Sequence, residues 1–93
     1  MIIARETTLR RNGDILHAAV GVEEMVMLSV SAGRYFAVNE VGARIWQLLE
    51  APMTIGEICE RLCEEFEVDA VECEGAVIKF ADELAGNGIL DAI

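Results

Sequence analysis

The stretch at residues 34–49, RYFAVNEVGARIWQLL, constrains the fold most, because it joins a strand directly to a helix. Residues 35–38 are apolar and predict a short strand. Asn39 follows at once, and its side-chain oxygen can accept a hydrogen bond from a free N–H of the first helical turn. Glu40 then carries its negative charge where the helix dipole favours one. A strand beside a helix makes a groove, and a strand at a sheet edge can accept a further strand from another chain.

The length of the chain suits one domain, and we expect residues 1–93 to form a single one. Apolar residues make up 54% of the chain, which excludes a disordered protein. The longest apolar runs are too short to span a membrane, and the first 13 residues lack the apolar core of a signal peptide. We therefore expect a cytoplasmic protein, with about the first twelve residues loosely ordered.

Acidic residues dominate the charge, with 17 Asp and Glu against 7 Lys and Arg and a formal net charge of −10. Eight of the acids fall between Glu57 and Glu74, where Arg61 is the only base. A field of this sign repels phosphate backbones and attracts basic partners, so we expect no nucleic-acid partner and no membrane partner. The charge also has a simpler use, since it keeps a small apolar domain soluble.

Three apolar runs separated by turn signals predict an antiparallel meander, with strands at residues 15–20, 25–30 and 34–38. The turns fall at residues 12–14, 21–24 and 31–33. Short connections imply the spatial order 1-2-3, so the first and third strands are both edges. Ser29 suggests that Met25, Met27 and Ser29 share the wetter face of the second strand. In the third strand we assign Phe36 and Val38 to the core, because Val38 leads directly into the helix.

Three helices are predicted after the strands. The first covers residues 40–50, Thr54 opens a capping box for the second, and Asp69 does the same for the third. Gly88 predicts the end of the third helix, after which residues 89–90 fold back onto the core. The predicted fold is therefore α+β, a three-stranded antiparallel meander followed by three helices in a winged-helix-like arrangement.

Cysteine and histidine are the side chains best suited to bind a metal. Cys59 and Cys63 share a face of the second helix, and Cys73 lies on the third. Three thiolates could begin a zinc or iron–sulfur site, but no CxxC pair is present, and the only histidine, His17, lies on the first strand. Both cysteines of the second helix fall on its apolar stripe, so we interpret them as small core side chains. We expect no metal, no cofactor and no catalysis, since no catalytic or phosphate-binding motif occurs.

The third helix has two different flanks beside a core stripe of Val77, Phe80 and Leu84. One flank is small and apolar with an acid at its end, and it carries Glu74, Ile78, Ala81 and Ala85. The other flank is polar and carries Lys79, Glu83 and Asn87. The first flank permits the close approach of another chain, and it is equally consistent with a wider contact to the core.

The order and spacing of these segments resemble the PqqD family. The matching runs are YFAVNEVGARIWQLLEAP from residue 35, TIGEICERLCEEFEVD from residue 54, and NGIL at residues 87–90. The family includes the peptide chaperone of pyrroloquinoline quinone biosynthesis and the small leader-binding proteins of lasso peptide pathways. The sequence GRYF, followed by VNEVG and IW, looks most like the lasso branch of the family. The resemblance covers roughly residues 26–90.

This resemblance implies a recognition element for ribosomally made, later modified peptides (RiPPs). In that family the leader segment of a precursor peptide adds as an extra strand beside the third strand, in the groove between that strand and the third helix. The domain then hands the precursor to a modifying or processing enzyme. In lasso pathways this is a separate leader peptidase of cysteine-protease type, after which a cyclase acts. One departure is Ala76, where the family often has an acid before the first core valine of the third helix.

The third strand and the third helix supply the predicted peptide contacts, which are Arg34, Tyr35, Phe36, Ala37, Val38, Glu74, Val77, Ile78, Ala81 and Ala85. Two other classes of function stay open. A winged helix can bind DNA, but here the third helix offers only Lys79 and the second only Arg61 toward phosphates. A structural oligomer could use the same sheet edge, and we expect a monomer or a weak dimer.

Overall fold

Three helices and two small antiparallel sheets make up the fold, in a computed structural model that describes residues 3–13, 15–19 and 24–93. In chain order the elements are β1 (Thr8–Arg11), β2 (Ile15–Ala19), β3 (Met25–Ser29), β4 (Arg34–Val38), α1 (Glu40–Leu48), β5 (Met53–Thr54), α2 (Ile55–Glu65), α3 (Ala70–Gly86) and β6 (Leu90–Ala92). This architecture confirms the predicted α+β class. No helix within the described ranges is long and apolar enough to cross a membrane.

The predicted meander forms, with β2 and β4 on either side of β3. Antiparallel pairing sets Ile15 opposite Ser29 and Ser29 opposite Arg34, so the register is continuous across the three strands. In the part of the chain that the structure describes, β2 and β4 each pair on one side only. Val20, Asp14 and most of the predicted turn at residues 21–24 lie outside the described residues.

The inner face of the meander is the one that carries Met25, Met27 and Ser29, all of which are buried. The expectation that these residues share the wetter face is therefore wrong. Ser29 is misleading as a sequence signal, because a serine can be buried when its hydroxyl has a local partner. Here Ser29 Oγ accepts a hydrogen bond from the Ala32 N–H at 3.4 Å, inside the turn that follows β3. Phe36 packs against the core as predicted.

A second sheet, in the order β5-β1-β6, has no counterpart in the sequence-based prediction. β1 lies at its centre and pairs Leu9 with Met53 of β5 on one side and with Ala92 of β6 on the other. Leu9 is fully buried, so the expectation of a loosely ordered N-terminal segment is corrected for residues 8–11. Leu9 stands among polar neighbours and its partners are distant in sequence, so no local pattern reveals this strand.

Each helix begins at the capping residue that the sequence predicts. Asn39 Oδ1 accepts a first-turn N–H at 3.0 Å before α1, and Asp69 Oδ2 accepts one at 3.3 Å before α3. Thr54 and Glu57 complete the capping box of α2, with donor–acceptor distances of 3.0 and 3.1 Å. The hydrogen bond that the Thr54 backbone N–H donates to the Glu57 carboxylate, and secondly one with the Thr54 side chain, lower the pKa of Glu57 below its ordinary value. α1 ends at Leu48, two residues before its predicted end.

The chain turns back onto the core at the end of α3. Gly88 has a φ of 75°, and the N–H groups of Gly88 and Ile89 donate to the carbonyls of Ala85 and Leu84 at 3.2 and 2.9 Å. This is the Schellman pattern, which requires a left-handed residue and so favours glycine. Ile89 and Leu90 are buried beyond it, which confirms the predicted return to the core.

Gly42 lies where β4, α1 and α3 approach one another most closely. A Cβ atom added at this position would lie 2.9 Å from the Cβ of Val38 and 3.1 Å from Cε1 of Phe80. Val38 cannot move aside easily, because it is held in the sheet at one end and continues into the capped helix at the other. The missing side chain of Gly42 therefore sets the distance between β4 and α3.

We expect Gly42→Ala to lower the free energy of unfolding by about 1–3 kcal/mol, because the added methyl overpacks this contact. Gly75→Ala is the matched control, since it lies in α3 with nothing within 4 Å of an added Cβ. The control should be neutral or stabilising by up to about 1 kcal/mol, as alanine is the better helix former. Urea unfolding measures both, and equal stability of the two variants would contradict a tight contact at Gly42.

We expect Leu9→Ala to destabilise the protein by about 2–5 kcal/mol, because it leaves a cavity at the centre of the second sheet. Leu16→Ala is the control, since Leu16 is 61% exposed on β2 and its truncation should change stability by no more than about 0.5 kcal/mol. Thermal and urea unfolding give both values. A Leu9→Ala variant as stable as Leu16→Ala would mean that β1 is not part of the cooperative fold.

Candidate functional site

A groove runs between the last strand of the meander and the last helix. A cavity of about 220 Å³ occupies it, lined by Phe36, Ala37, Val38, Asn39, Phe80, Glu83 and Leu84. Glu83 is the only charged member of this lining, and the large side chains are apolar. A concave, mostly apolar surface with a few polar groups is the usual form of a binding site.

A side-chain hydrogen bond bridges one end of the groove. Arg34 Nη1, at the start of β4, donates to Asn87 Oδ1 at 3.2 Å, and Asn87 lies at the end of α3. Asn87 Nδ2 in turn donates to the Glu83 carbonyl at 2.8 Å, so the amide is held in one orientation. This chain of contacts ties the start of the strand to the end of the helix and fixes the width of the groove there.

A second cavity of about 400 Å³ opens at the other end of the groove. It lies among α1, α2 and α3 and is lined by Asn39, Val41, Gly42, Ile45, Leu62, Phe66, Val68, Glu72, Cys73, Ala76, Val77 and Phe80. Asn39 and Phe80 belong to the linings of both cavities. The N-terminus of α1, where the strand ends, therefore borders both spaces.

An ion pair holds α1 against α2. Arg44 on α1 donates to both carboxylate oxygens of Glu65 on α2, with distances of 2.6 and 2.8 Å. The two-point contact raises the pKa of Arg44 and lowers the pKa of Glu65, in each case chiefly through the hydrogen bonds. A two-point contact of this kind restricts the relative orientation of the two helices.

The outer edge of β4 is free to pair in the described part of the chain. β4 bonds to β3 on one side, and alternate residues along an antiparallel strand direct their N–H and C=O groups to opposite sides. Alternate residues of β4 therefore present donors and acceptors toward the groove. An edge of this kind is a template for a further strand.

The three cysteines lie near one another on α2 and α3, and they differ in burial. Cys59 is buried as predicted, and Cys73 is buried too, whereas Cys63 is exposed, so the assignment of Cys63 to the core is wrong. Cys63 lies beside the buried stripe of α2, which at this end of the helix continues through Leu62 and Phe66. Burial raises the pKa of Cys73 to about 12, with the neighbouring thiols of Cys59 and Cys63 adding to the effect. A thiol held protonated is a poor nucleophile, and no group of three potential metal ligands occurs within the described ranges.

The structure brings together only part of the predicted peptide site. Five of the predicted residues, Arg34, Tyr35, Phe36, Ala37 and Val38, lie on β4. Arg34 makes the hydrogen bond that bridges the groove, and Phe36, Ala37 and Val38 line the groove. The Tyr35 side chain points to the opposite face of the sheet. Val77 lines the second cavity.

The remaining predicted helix residues, Glu74, Ile78, Ala81 and Ala85, line neither cavity of this groove. Their flank of α3 turns toward the N-terminal segment, as the ion pair between Glu74 and Arg5 at 3.9 Å indicates. Ala81 is fully buried and offers no surface to a partner. From the sequence this flank was equally consistent with a wider contact to the core, and in the structure Ile78 and Ala85 do pack against the core.

The groove residues that sequence reasoning missed are Phe80, Glu83, Leu84 and Asn87 on α3 and Asn39 at its inner end. From the sequence, Phe80 and Leu84 were assigned to the core and Asn39 to the helix cap. Glu83 and Asn87 were assigned to the polar flank. The sequence offered no signal for Phe80, because its spacing places it in the core stripe and only the structure shows that it is half-buried.

Comparisons with known proteins agree with this geometry. The sequence model described as coenzyme PQQ synthesis protein D (PqqD) matches residues 24–90. The structure titled TbiB1 in complex with the TbiA(beta) leader peptide is 32% identical, with a TM-score of 0.80 over 88% of this chain and 94% of that one. A lasso peptide synthetase B1 complexed with the leader peptide is 26% identical, with a TM-score of 0.76 over 89% and 96% of the two chains.

A more distant structure shares the fold. The PqqD truncation of Methylobacterium extorquens PqqCD, described as a stand-alone RiPP recognition element, has a TM-score of 0.81 over 96% of this chain and 94% of its own, at 17% identity. No curated protein matches the chain by sequence. The family match includes β3, β4 and all three helices, which are the elements that build the groove. This chain belongs to the PqqD family.

Proposed function

We propose that this chain is a RiPP recognition element that binds the leader segment of a precursor peptide by strand addition to β4. The observation that carries the proposal is the free edge of β4 beside an apolar groove. Similarity to TbiB1, whose structure is titled as a leader-peptide complex, supports the same reading. Strand addition suits a disordered guest, because main-chain hydrogen bonds supply affinity while side-chain pockets supply specificity.

The groove defines how such a guest would lie. A strand paired with β4 directs alternate side chains to opposite faces of the extended sheet. One set would rest on Phe80 and Leu84 at the floor of the groove, and the other set would face solvent. The cavity of about 400 Å³ beyond Asn39 has room for an apolar side chain where the added strand ends.

The bound precursor would then pass to a separate enzyme. We propose a leader peptidase of cysteine-protease type as that enzyme, on the resemblance to lasso pathways, with this chain acting as an adaptor rather than a catalyst. We further propose that residues 1–93 work as one domain, in the cytoplasm, as a monomer or weak dimer and without a cofactor.

Two proline variants test strand addition. Consecutive residues of β4 point their N–H groups in opposite directions, so of Phe36→Pro and Ala37→Pro, one removes a hydrogen bond to β3 and the other removes a bond to the guest. We expect one variant to lose stability and the other to stay folded but bind a labelled leader peptide at least about tenfold more weakly. Circular dichroism and fluorescence anisotropy in chelator-containing buffer separate the two effects. Strand addition at β4 is excluded if the folded variant keeps its affinity.

A pair of helix variants tests which flank of α3 faces the guest. Phe80→Ala should weaken leader binding by about 1–2 kcal/mol, because it removes the apolar floor of the groove. Ile78→Ala is the matched control, since Ile78 is also a half-buried apolar side chain but lies on the opposite flank. Both variants should lose some stability, whereas only Phe80→Ala should lose affinity. A stronger effect from Ile78→Ala would return the site to the flank of Glu74 and Ala85.

A further inference from the structure

We propose that the outer face of the β2-β3-β4 meander is the surface on which the processing enzyme docks. The inference rests on the proposed function, because it identifies a partner for the peptide-loaded chain. It adds a second binding surface, which lies on the opposite side of the sheet from the core and shares Ala37, at the edge strand, with the groove lining.

The outer face consists of two rows of apolar side chains. The register aligns Leu16 with Leu28 and Tyr35 in one row, and the second row contains Ala18, Val26 and Ala37. These six residues alternate with the buried positions Met25 and Met27, so they lie on the other side of the sheet. Within them, Leu16 is 61% exposed and Tyr35 is 76% exposed. This set is called the outer face below.

The outer face carries no charge in a protein with a net charge of −10. The exposed surface of α2, by comparison, is rich in glutamate. A contiguous apolar patch on a small acidic protein is the usual mark of an interaction surface. A partner can cover the patch without stripping water from a charged group, which is the costly part of burying polar surface.

The position of the outer face favours an enzyme that acts on the bound peptide. The face is continuous with β4, so a guest strand on the free edge of β4 would extend it by one strand. Every second guest side chain would then stand beside Tyr35 and Ala37. A protein seated on the extended surface would contact this chain and the precursor together, and would therefore distinguish the loaded chain from the empty one.

Charge argues against a second copy of this chain as the occupant. Two copies with a net charge of −10 each would repel one another on approach. The partner that fits has an apolar patch of similar size with basic residues around it, which the field of this chain would attract.

The test uses Leu16→Glu, which places a charge in the outer face on the strand farthest from β4. Val71→Glu is the matched control, because Val71 is 78% exposed at the start of α3 and the change in charge is the same. The probes are a purified leader peptidase of cysteine-protease type and a lasso precursor peptide whose leader the wild-type chain binds. Three quantities are measured for each variant: leader affinity, peptidase affinity, and the rate of precursor cleavage.

We expect Leu16→Glu to weaken peptidase binding by about tenfold or more and to raise the concentration needed for half-maximal cleavage by a similar factor. Leader affinity should stay within about twofold, and Val71→Glu should match the wild type in all three measurements. Circular dichroism confirms that both variants are folded.

Two results would overturn the proposal. In the first, the Leu16→Glu variant binds the peptidase as tightly as the wild type does. This result would count against the proposal even if the substitution separated a dimer of this chain into monomers. In the second, both glutamate variants lose peptidase binding equally, which would indicate a general charge effect. A failure of the proposed function would be recognised separately, as a wild-type chain that does not bind the leader. Peptidase affinity, and the effect of Leu16→Glu on it, are measured without the leader.

Discussion

The close contact at Gly42 is the constraint on which the groove depends. At this point the end of β4, the first turn of α1 and the aromatic ring of Phe80 meet at distances that leave no room for a Cβ atom. Asn39 fixes the local direction of the chain, because it ends the strand and caps the helix in a single residue. At this end of the groove the gap between β4 and α3 is then set by the packing of the backbone against the Phe80 ring.

A second set of contacts joins the meander and the N-terminal sheet to the helices through Trp46. This ring is buried, the Arg11 guanidinium lies 4.6 Å from its centre, and the His17 ring forms a T-shaped pair with it, with 5.9 Å between the ring centres. Arg11 Nε also donates to the Trp46 carbonyl at 3.0 Å, and burial lowers the pKa of Arg11 below its ordinary value. β1, β2 and α1 are thereby fixed to one aromatic side chain, which supports the face of the sheet opposite the outer face.

The two proposed surfaces follow from the two sides of one sheet. The inner side is closed by the core except along β4, where the groove remains open to a peptide. The outer side has no covering element among the described residues and stays apolar. The acidic charge of the remaining surface disfavours the DNA-binding alternative, since α3 offers only Lys79 among several carboxylates.

The sequence by itself determined the features that depend on near neighbours along the chain. The caps at Asn39, Thr54 and Asp69, the turn at Gly88 and the three strands of the meander all follow from hydrogen bonding and periodicity within a few residues. Tertiary structure alone decided the second sheet, the buried face of β3, the exposure of Cys63 and the flank of α3 that borders the groove. A strand of two residues such as β5 has no pattern of its own, and it forms only because β1 lies beside it. The period of a helix likewise fixes which side chains share a stripe, but the elements that pack around it determine which flank stays open.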